Sequence, residues 1–320
     1  VTVDGKLDEA AWKAVPWTED FVDIEGSRRP KPRFRTRAKM LWDDKYFYIG
    51  AELEEPHVWA TLTRHDSVIF QDNDFEVFID PDGDNHNYAE LEINALNTTW
   101  DLLLKKPYRD GGPAVNEWEI PGMKTAVSVD GTLNDPRDRD RGWSVEVALP
   151  WTVLDKLSAQ PAPPRDGDQW RANFSRVEWQ VRVVRGKYVK VPRRKEDNWV
   201  WSPQGVVDMH RPETWGYVQF STAPPGTAKF RPDPAGPAKH LLHRVYYAQA
   251  AFHKEHSRYA RTLAELRLSG LVHESLAGPL RMKVTTRGYH VTAAVRLPGE
   301  HVGRWRIRQD SLIRRVEKEK

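Results

Sequence analysis

The chain has 320 residues, 39% of them hydrophobic, a formal net charge of +3 and no cysteine. That length suffices for one large or two ordinary domains, and no stretch is apolar enough to span a membrane. Without cysteine there are no disulfides, no thiol catalysis and no cysteine-ligated metal, and the start at Val1 without methionine fits a trimmed secreted, periplasmic or envelope-associated protein. The small net charge conceals a division. Residues 1–222 hold 30 Lys and Arg against 38 Asp and Glu, residues 223–320 hold 19 against 8, and 13 of the 14 tryptophans fall in the first part. The sequence therefore predicts a domain over 1–222, a Pro-rich linker over 223–239 that is neither helix nor central strand, and an accessory domain over 240–320.

In chain order, residues 8–14 read as a short amphipathic helix with Leu7, Ala11 and Trp12 inward, capping a sheet edge. Residues 36–54 form a hairpin: Ala38, Met40 and Trp42 alternate, Asp43-Asp44-Lys45 turns, and Phe47, Ile49 and Ala51 alternate back. Residues 57–70 read as a loop carrying Trp59 and Phe70. The stretch 68–104 then gives three strands. Phe75, Val77 and Ile79 alternate with Asp74, Glu76 and Phe78, and Leu91 and Ile93 alternate with Glu90, Glu92 and Asn94. If these strands pair through the turn at 81–87, Glu76, Glu90, Glu92 and Asn94 share one face while the apolar set enters a core.

Further strands are expected at 124–129, 142–149, 169–180 and 215–220, with a helical turn at 151–157 and a basic ribbon at 181–194. In the tail, Leu241, Val245, Ala248 and Phe252 have helical spacing, Leu263 and Leu266 follow a break near Ser257, and 280–286, 289–297 and 303–309 read as a small antiparallel sheet. The fold class is mainly β, an antiparallel jelly-roll β-sandwich with a smaller C-terminal α+β domain.

The blocks VDGKLDEAAW, AKMLWDDKYFYIGAEL, DNDFEVFIDPDGDNHNYAELEINALNTTWDLLL, GWSVEVALPW, GDQWRANFSR and DNWVWSPQG through PETWGYVQF, in that order, resemble carbohydrate-binding module family 9 over residues 1–222. The resemblance implies a jelly roll that binds glycan ends or small sugars, often with calcium. Its two-ring sugar clasp carries over to Phe70, six residues before Glu76, and to Trp201, three after Asn198, with Trp199 beside it. The arginine and asparagine expected two residues apart on the next strand correspond to Glu92 and Asn94, so an acceptor stands where a donor is expected. The tail's helix and closing strand faintly resemble the globular head of pilin-like proteins, and no function is carried over from them.

Three further readings stand beside this one. Asp80, Asp82 and Asp84 around Gly83 offer alternating oxygens of the kind calcium takes, or a solvated turn, and residues 134–138 are a weaker candidate. Glu76 with Glu90 or Glu92 supplies the carboxylate pair of a polysaccharide-acting glycosidase, or an acidic face paired with the arginines of the ribbon. The domain is alternatively a docking module of a larger envelope assembly. His240, His243, His253 and His256 read as a basic helix face rather than a metal site, and the basic tail as a solvated or partner-facing surface rather than a nucleic-acid site.

Overall fold

The computed structural model describes residues 1–157 and 160–317; the last three residues of the expected accessory domain lie outside it. The described chain falls into two compact units, the first made of Val1–Asp82, Asn87–Tyr108 and Gly112–Lys229, the second of Gly83–His86, Arg109–Gly111 and the chain from Phe230 on.

The first unit has short helices α1 (Ala10–Ala14) and α2 (Trp151–Leu154) and strands β1 (Val22–Asp23), β2 (Thr36–Trp42), β3 (Tyr46–Glu54), β4 (Asp74–Asp80), β5 (Tyr88–Asn94), β6 (Thr99–Leu104), β7 (Ala114–Val115), β8 (Lys124–Asp130), β9 (Gly142–Pro150), β10 (Gln169–Glu178), β11 (Val181–Val184), β12 (Lys187–Lys190), β13 (Asp197–Val200) and β14 (Gly216–Gln219). One sheet runs β1-β13-β10-β4-β5-β6-β7, with β14 also on β10, and a second runs β2-β3-β9-β8. Every pairing is antiparallel. The ribbon expected at 181–194 is the separate hairpin β11-β12.

Period-two alternation explains the layers. Phe75, Val77 and Ile79 of β4, Leu91 and Ile93 of β5 and Phe174 of β10 meet Ile49, Ala51, Val145 and Val147 of the second sheet in one core. α1 caps the outer face of the second sheet, where Trp12 packs fully buried with Tyr48 and Ala148, while Ala11, expected inward, is exposed. This cap hangs on Glu146 of β9, buried to 1% exposure, whose carboxylate accepts the Trp12 Nε1–H at 2.6 Å and the backbone N–H groups of Asp4 and Gly5 at 2.8 and 2.7 Å. Charge-assisted bonds of this kind are each worth about 1.5–3 kcal/mol. Glu146→Ala is therefore expected to cost about 3 kcal/mol of stability, read as a lower urea midpoint with unchanged slope; a midpoint equal to wild type would show the cap held by packing alone.

The second unit is a helix on a four-stranded antiparallel sheet. Helix α3 (Gly236–His256) begins inside the stretch expected as linker and stops at Ser257, which takes the left-handed conformation at φ 55°. Its Leu242, Val245 and Tyr246 pack on Val291, Ala293, Val295 and Ile307 of the sheet β15 (Arg281–Val284), β16 (Tyr289–Arg296), β17 (Val302–Arg308) and β18 (Ile313–Arg315). Leu263 and Leu266, where the spacing in the tail leaves one or two helices open as readings, lie in turns that complete this core.

Residues 83–86 and 109–111 belong to this unit by specific bonds. Asn85 Nδ2 donates to the Ser311 carbonyl at 2.9 Å and lies 2.9 Å from His243 Nε2, His86 Nε2 pairs with the Asp310 carbonyl, and Asp110 accepts the hydroxyls of Tyr246 and Ser311, each at 2.6 Å. His243 is thereby a structural residue. His253 stacks on Tyr259 and His256 on Phe252.

Candidate functional site

The face of the first sheet turned away from the core carries the chemistry. Register places Glu76 of β4 opposite Glu92 of β5 and Ser175 of β10, with Asp74 opposite Asn94, Phe78 opposite Glu90, Glu92 opposite Trp100 and Val177 opposite Asn198. Together with the loop that holds Val207–His210 and with Tyr108, these residues line an open cleft of about 410 Å³ whose wall includes Phe70, Glu76, Glu90, Glu92, Trp100, Tyr108, Glu196, Asn198, Asp208 and His210. That volume is in the range of small-ligand sites. Among the described residues no Lys or Arg lines it, so the arginines of the 181–194 ribbon are not part of its wall.

Aromatic groups form the rim. Phe70 sits on a short 3-10 turn, Ile69–Gln71, pinned at both ends: its N–H donates to Glu92 Oε2 at 2.8 Å, and its carbonyl accepts the Trp179 Nε1–H at 2.8 Å. Tyr108, 51% exposed, stands edge-on to His210 at 4.5 Å between ring centres, and His210 Nδ1 lies 3.0 Å from the Tyr88 hydroxyl. Trp100 packs half-buried against the apolar cluster of Phe78, Tyr88, Leu102, Leu104 and Trp215 that closes the lower end of this face.

The floor is a group of carboxyls taken out of water, with His210 Nε2 3.9 Å from Glu90 Oε2 at its edge. Burial pushes Glu76 up to about 7, with the charge of Glu196 adding to the rise and the nearby Ser175 hydroxyl opposing it. Burial raises Asp74, Glu90 and Glu92 well above the usual carboxylate range, and mutual repulsion within the group raises them further.

Of the residues expected from sequence, Phe70, Glu76, Glu92 and Asn198 are brought together in this cleft and Glu90 joins them. Asn94, Trp199 and Trp201 are not. Asn94 is fully buried and spent on its own loop: Oδ1 accepts the N–H groups of Leu96 and Thr98, and Nδ2 donates to the Leu62 carbonyl and to Asp72. Trp199 points to the opposite face because it pairs with Arg176, not with Val177, and its ring covers that guanidinium at 5.2 Å. Trp201 also lies on the core side, 5.6 Å from Phe174 and flat against Gly216, where a Cβ would approach the indole to 2.6 Å.

Trp100, Tyr108, Glu196, Asp208 and His210 escaped sequence reasoning. For Trp100 the signal was present, since its position opposite Glu92 follows from extending the same alternation across the next hairpin. The others arrive on loops that only the tertiary fold brings to the sheet.

Asp80 is buried at the end of β4, while Asp82 and Asp84 are half-buried in the turn, where Gly83 and Asn85 take positive φ and Asp84 Oδ1 accepts the His86 N–H. Asp82 ends the first unit and Asp84 falls in the second. At the weaker candidate, Asn134 ties its loop to Ala60, and hydrogen bonding to Arg137 holds Asp135 down at about 2, which makes this stretch an ion-paired turn.

Asp101, on the core-facing side of β6, has one oxygen on the Ile120 N–H at 2.6 Å and is raised by burial to about 6. A carboxyl raised in the folded state contributes stability below its unfolded value, about 3.9, and loses it as pH rises through the folded one. Asp101→Asn is accordingly expected to flatten the wild-type fall in melting temperature between about pH 4 and about pH 6. Parallel melting curves across that window would count against the assignment.

A family model described as carbohydrate family 9 binding domain-like matches residues 3–164. Among curated proteins, the exoglucanase XynX of Acetivibrio thermocellus is 26% identical over 156 residues, 49% of this chain and 12% of that protein. The endo-1,4-beta-xylanase C of Paenibacillus barcinonensis is 36% identical over 100 residues, 31% of this chain and 8% of that protein. The chain thus spans a small fraction of the length of the curated relatives it matches. Among solved structures, a carbohydrate binding module family 9 from Caldicellulosiruptor kristjanssonii in complex with cellotriose aligns over 72% of this chain and 95% of its own at 14% identity and a TM-score of 0.45. A putative carbohydrate-binding protein from Bacteroides uniformis aligns over 65% and 88% at 17% identity and a TM-score of 0.48.

Proposed function

The chain belongs to the carbohydrate family 9 binding domain-like family, and on that premise we propose that its acidic cleft binds the end of a carbohydrate chain without making or breaking a bond. The observation that carries this reading is the meeting of three half-exposed rings, Phe70, Trp100 and Tyr108, above Glu76, Glu90, Glu92 and Asn198 in one open cleft. A pyranose has a C–H face that packs on an aromatic plane and a rim of hydroxyls that donate to carboxylates and pair with an amide. Of the two rings expected to clasp the sugar, Phe70 keeps its role in this reading; Trp100 and Tyr108 take the role expected of Trp201. A chain with this task works where polysaccharide is met, outside the cytoplasm.

A hydrolytic reading has one observation in its favour: oxygens of Glu76 and Glu92 lie within 4.8 Å of each other, near the separation of about 5–5.5 Å between the carboxyl groups of a retaining glycosidase. The electrostatics oppose it. Such catalysis needs one carboxyl kept protonated and one kept ionised, environments that push the two apart, whereas here burial pushes Asp74, Glu76, Glu90 and Glu92 in the same direction.

Calorimetry of the whole chain with cellotriose and xylotriose, alongside an assay for new reducing ends, separates the readings. Heat with no reducing ends is expected. Reducing ends that vanish in Glu76→Gln would overturn the binding reading, and no heat with any sugar would remove the cleft as a carbohydrate site.

A further inference from the structure

We propose that a divalent cation of the calcium class sits on the floor of the cleft, held by Asp74, Glu76 and Glu92. It is a second ligand of the same cleft, and only the part of it that concerns sugar rests on the carbohydrate reading. One carboxylate oxygen from each of these residues lies within 4.8 Å of the other two. Oxygens arranged around one calcium ion at about 2.3–2.6 Å stand no farther apart than about 5 Å, so the three can share an ion with little movement.

Acidic clusters are common at surfaces, and this one differs in its burial and in its unused oxygens. Asp74, Glu76 and Glu92 are 0%, 4% and 1% exposed. Among the described residues, Asp74 Oδ2 and Glu76 Oε2 have no hydrogen-bond partner, and neither has the hydroxyl of Ser175, a fully buried neutral residue directly opposite Glu76 on β10. These buried oxygens on adjacent strands are free to enter the shell of a cation, which would take the place of the protons that burial otherwise holds on the carboxyls.

The donor chemistry selects the ion. All the candidate ligands are hard oxygens, with no imidazole or thiolate in the group, which favours calcium or magnesium over zinc or copper. Two glutamates and an aspartate on a twisted sheet form an irregular set of the kind calcium accepts in shells of about six to eight oxygens, whereas magnesium demands near-ideal octahedral geometry. Glu76 and Glu92 also line the cleft, so the open side of the shell faces the ligand space. Neighbouring hydroxyls of a sugar supply oxygens of the same kind, and the ion then joins sugar to protein.

The test uses the whole chain stripped of metal with EDTA. Calcium chloride is titrated by calorimetry, and terbium, a calcium substitute, by luminescence sensitised by Trp100, which lies directly across from Glu92. One saturable site, tryptophan-sensitised emission displaced by calcium, and a higher melting temperature in calcium than in EDTA are expected. Glu76→Gln should weaken calcium binding by about tenfold or more while melting in EDTA at or above wild type, since it removes the repulsion that Glu76 exerts on Asp74, Glu90 and Glu92; Glu92→Gln serves as the second variant if the first does not fold. Absence of terbium emission together with equal melting in calcium and EDTA overturns the proposal. So does calcium binding that both variants leave unchanged, which would locate the ion elsewhere. Sugar titrations in both buffers separate the two claims. Sugar heat lost in EDTA supports the joining role, and sugar heat equal in both buffers overturns that role. Calcium binding without sugar heat in either buffer overturns the carbohydrate reading and leaves the cation site standing.

Discussion

Replacing Arg176 with methionine is expected to lower the stability of the first unit by about 3–5 kcal/mol, seen as a fall in melting temperature on the order of 10 °C. Its guanidinium is fully buried and donates to Glu55 Oε2 at 2.7 Å, to Glu178 Oε2 at 2.8 Å, to the Glu54 carbonyl at 2.8 Å and to the Thr36 hydroxyl at 3.2 Å. Asn73 Nδ2 then bridges the two carboxylates, at 3.2 Å to Glu55 and 3.0 Å to Glu178, with the His57 N–H on Glu55 at 2.9 Å and Arg33 3.6 Å from Glu178. Methionine fills much of the same volume but leaves two buried acids facing each other without the cation between them, and a buried charge that loses such a partner costs far more than a buried pair returns. Burial already raises the Glu178 carboxyl, with Arg176 opposing the rise. Without Arg176 the penalty falls on the ionised form, so the loss should grow as pH rises and shrink in acid. The triple change Arg176→Met, Glu55→Gln, Glu178→Gln is expected to recover part of the loss. A single variant as stable as wild type at neutral pH would show that the cluster does not hold these strands.

The second large effect separates two tryptophans on opposite faces of the first sheet. Trp100→Ala is expected to weaken sugar binding by about 2 kcal/mol, roughly 30-fold in Kd, with little change in the melting temperature, because the ring is half-buried at the edge of a small cluster. Trp201→Ala should do the reverse. It removes a ring packed between Phe174 and Gly216, and the cavity costs about 3 kcal/mol while Kd stays unchanged. Titrating both variants by calorimetry and melting both decides the point. A binding loss in Trp201→Ala without a loss of stability would return that ring to the ligand.

The contrast shows how far sequence reasoning reaches. Alternation is a local property with a physical cause, the two-residue period of the strand, so it placed Glu76, Glu90 and Glu92 on one face and the apolar partners in the core, as the register confirms. The same rule separates Asn198 from Trp199 by face. Trp201, two residues on from Trp199, falls on the core side with it, as the same period requires. Asn94 defeated the reading for another reason: a short amide beside a tight turn bonds its own backbone more readily than a distant ligand. Tyr108, Asp208 and His210 reach the cleft from loops whose course is set by packing far along the chain, and no local pattern announces that. In the tail, the apolar spacing of α3 was legible, but its start at Gly236 was masked by prolines that helices tolerate in their first turn.

The second unit is assembled from three separate pieces of chain, and this bears on how the protein is made. Translation delivers the β4-β5 turn early, yet Asn85 meets the Ser311 carbonyl 226 residues further on. Until then an amide that ends up fully sequestered stays wet, and the nascent sandwich carries an unfinished corner. Vectorial folding is thus staged: the earlier unit can settle as it emerges, while the later one closes only once Ser311 has been made. A chain cut after Lys229 retains residues 83–86 and 109–111 but never receives their partners, so the point at which the two units can be cut apart is not a point in the sequence.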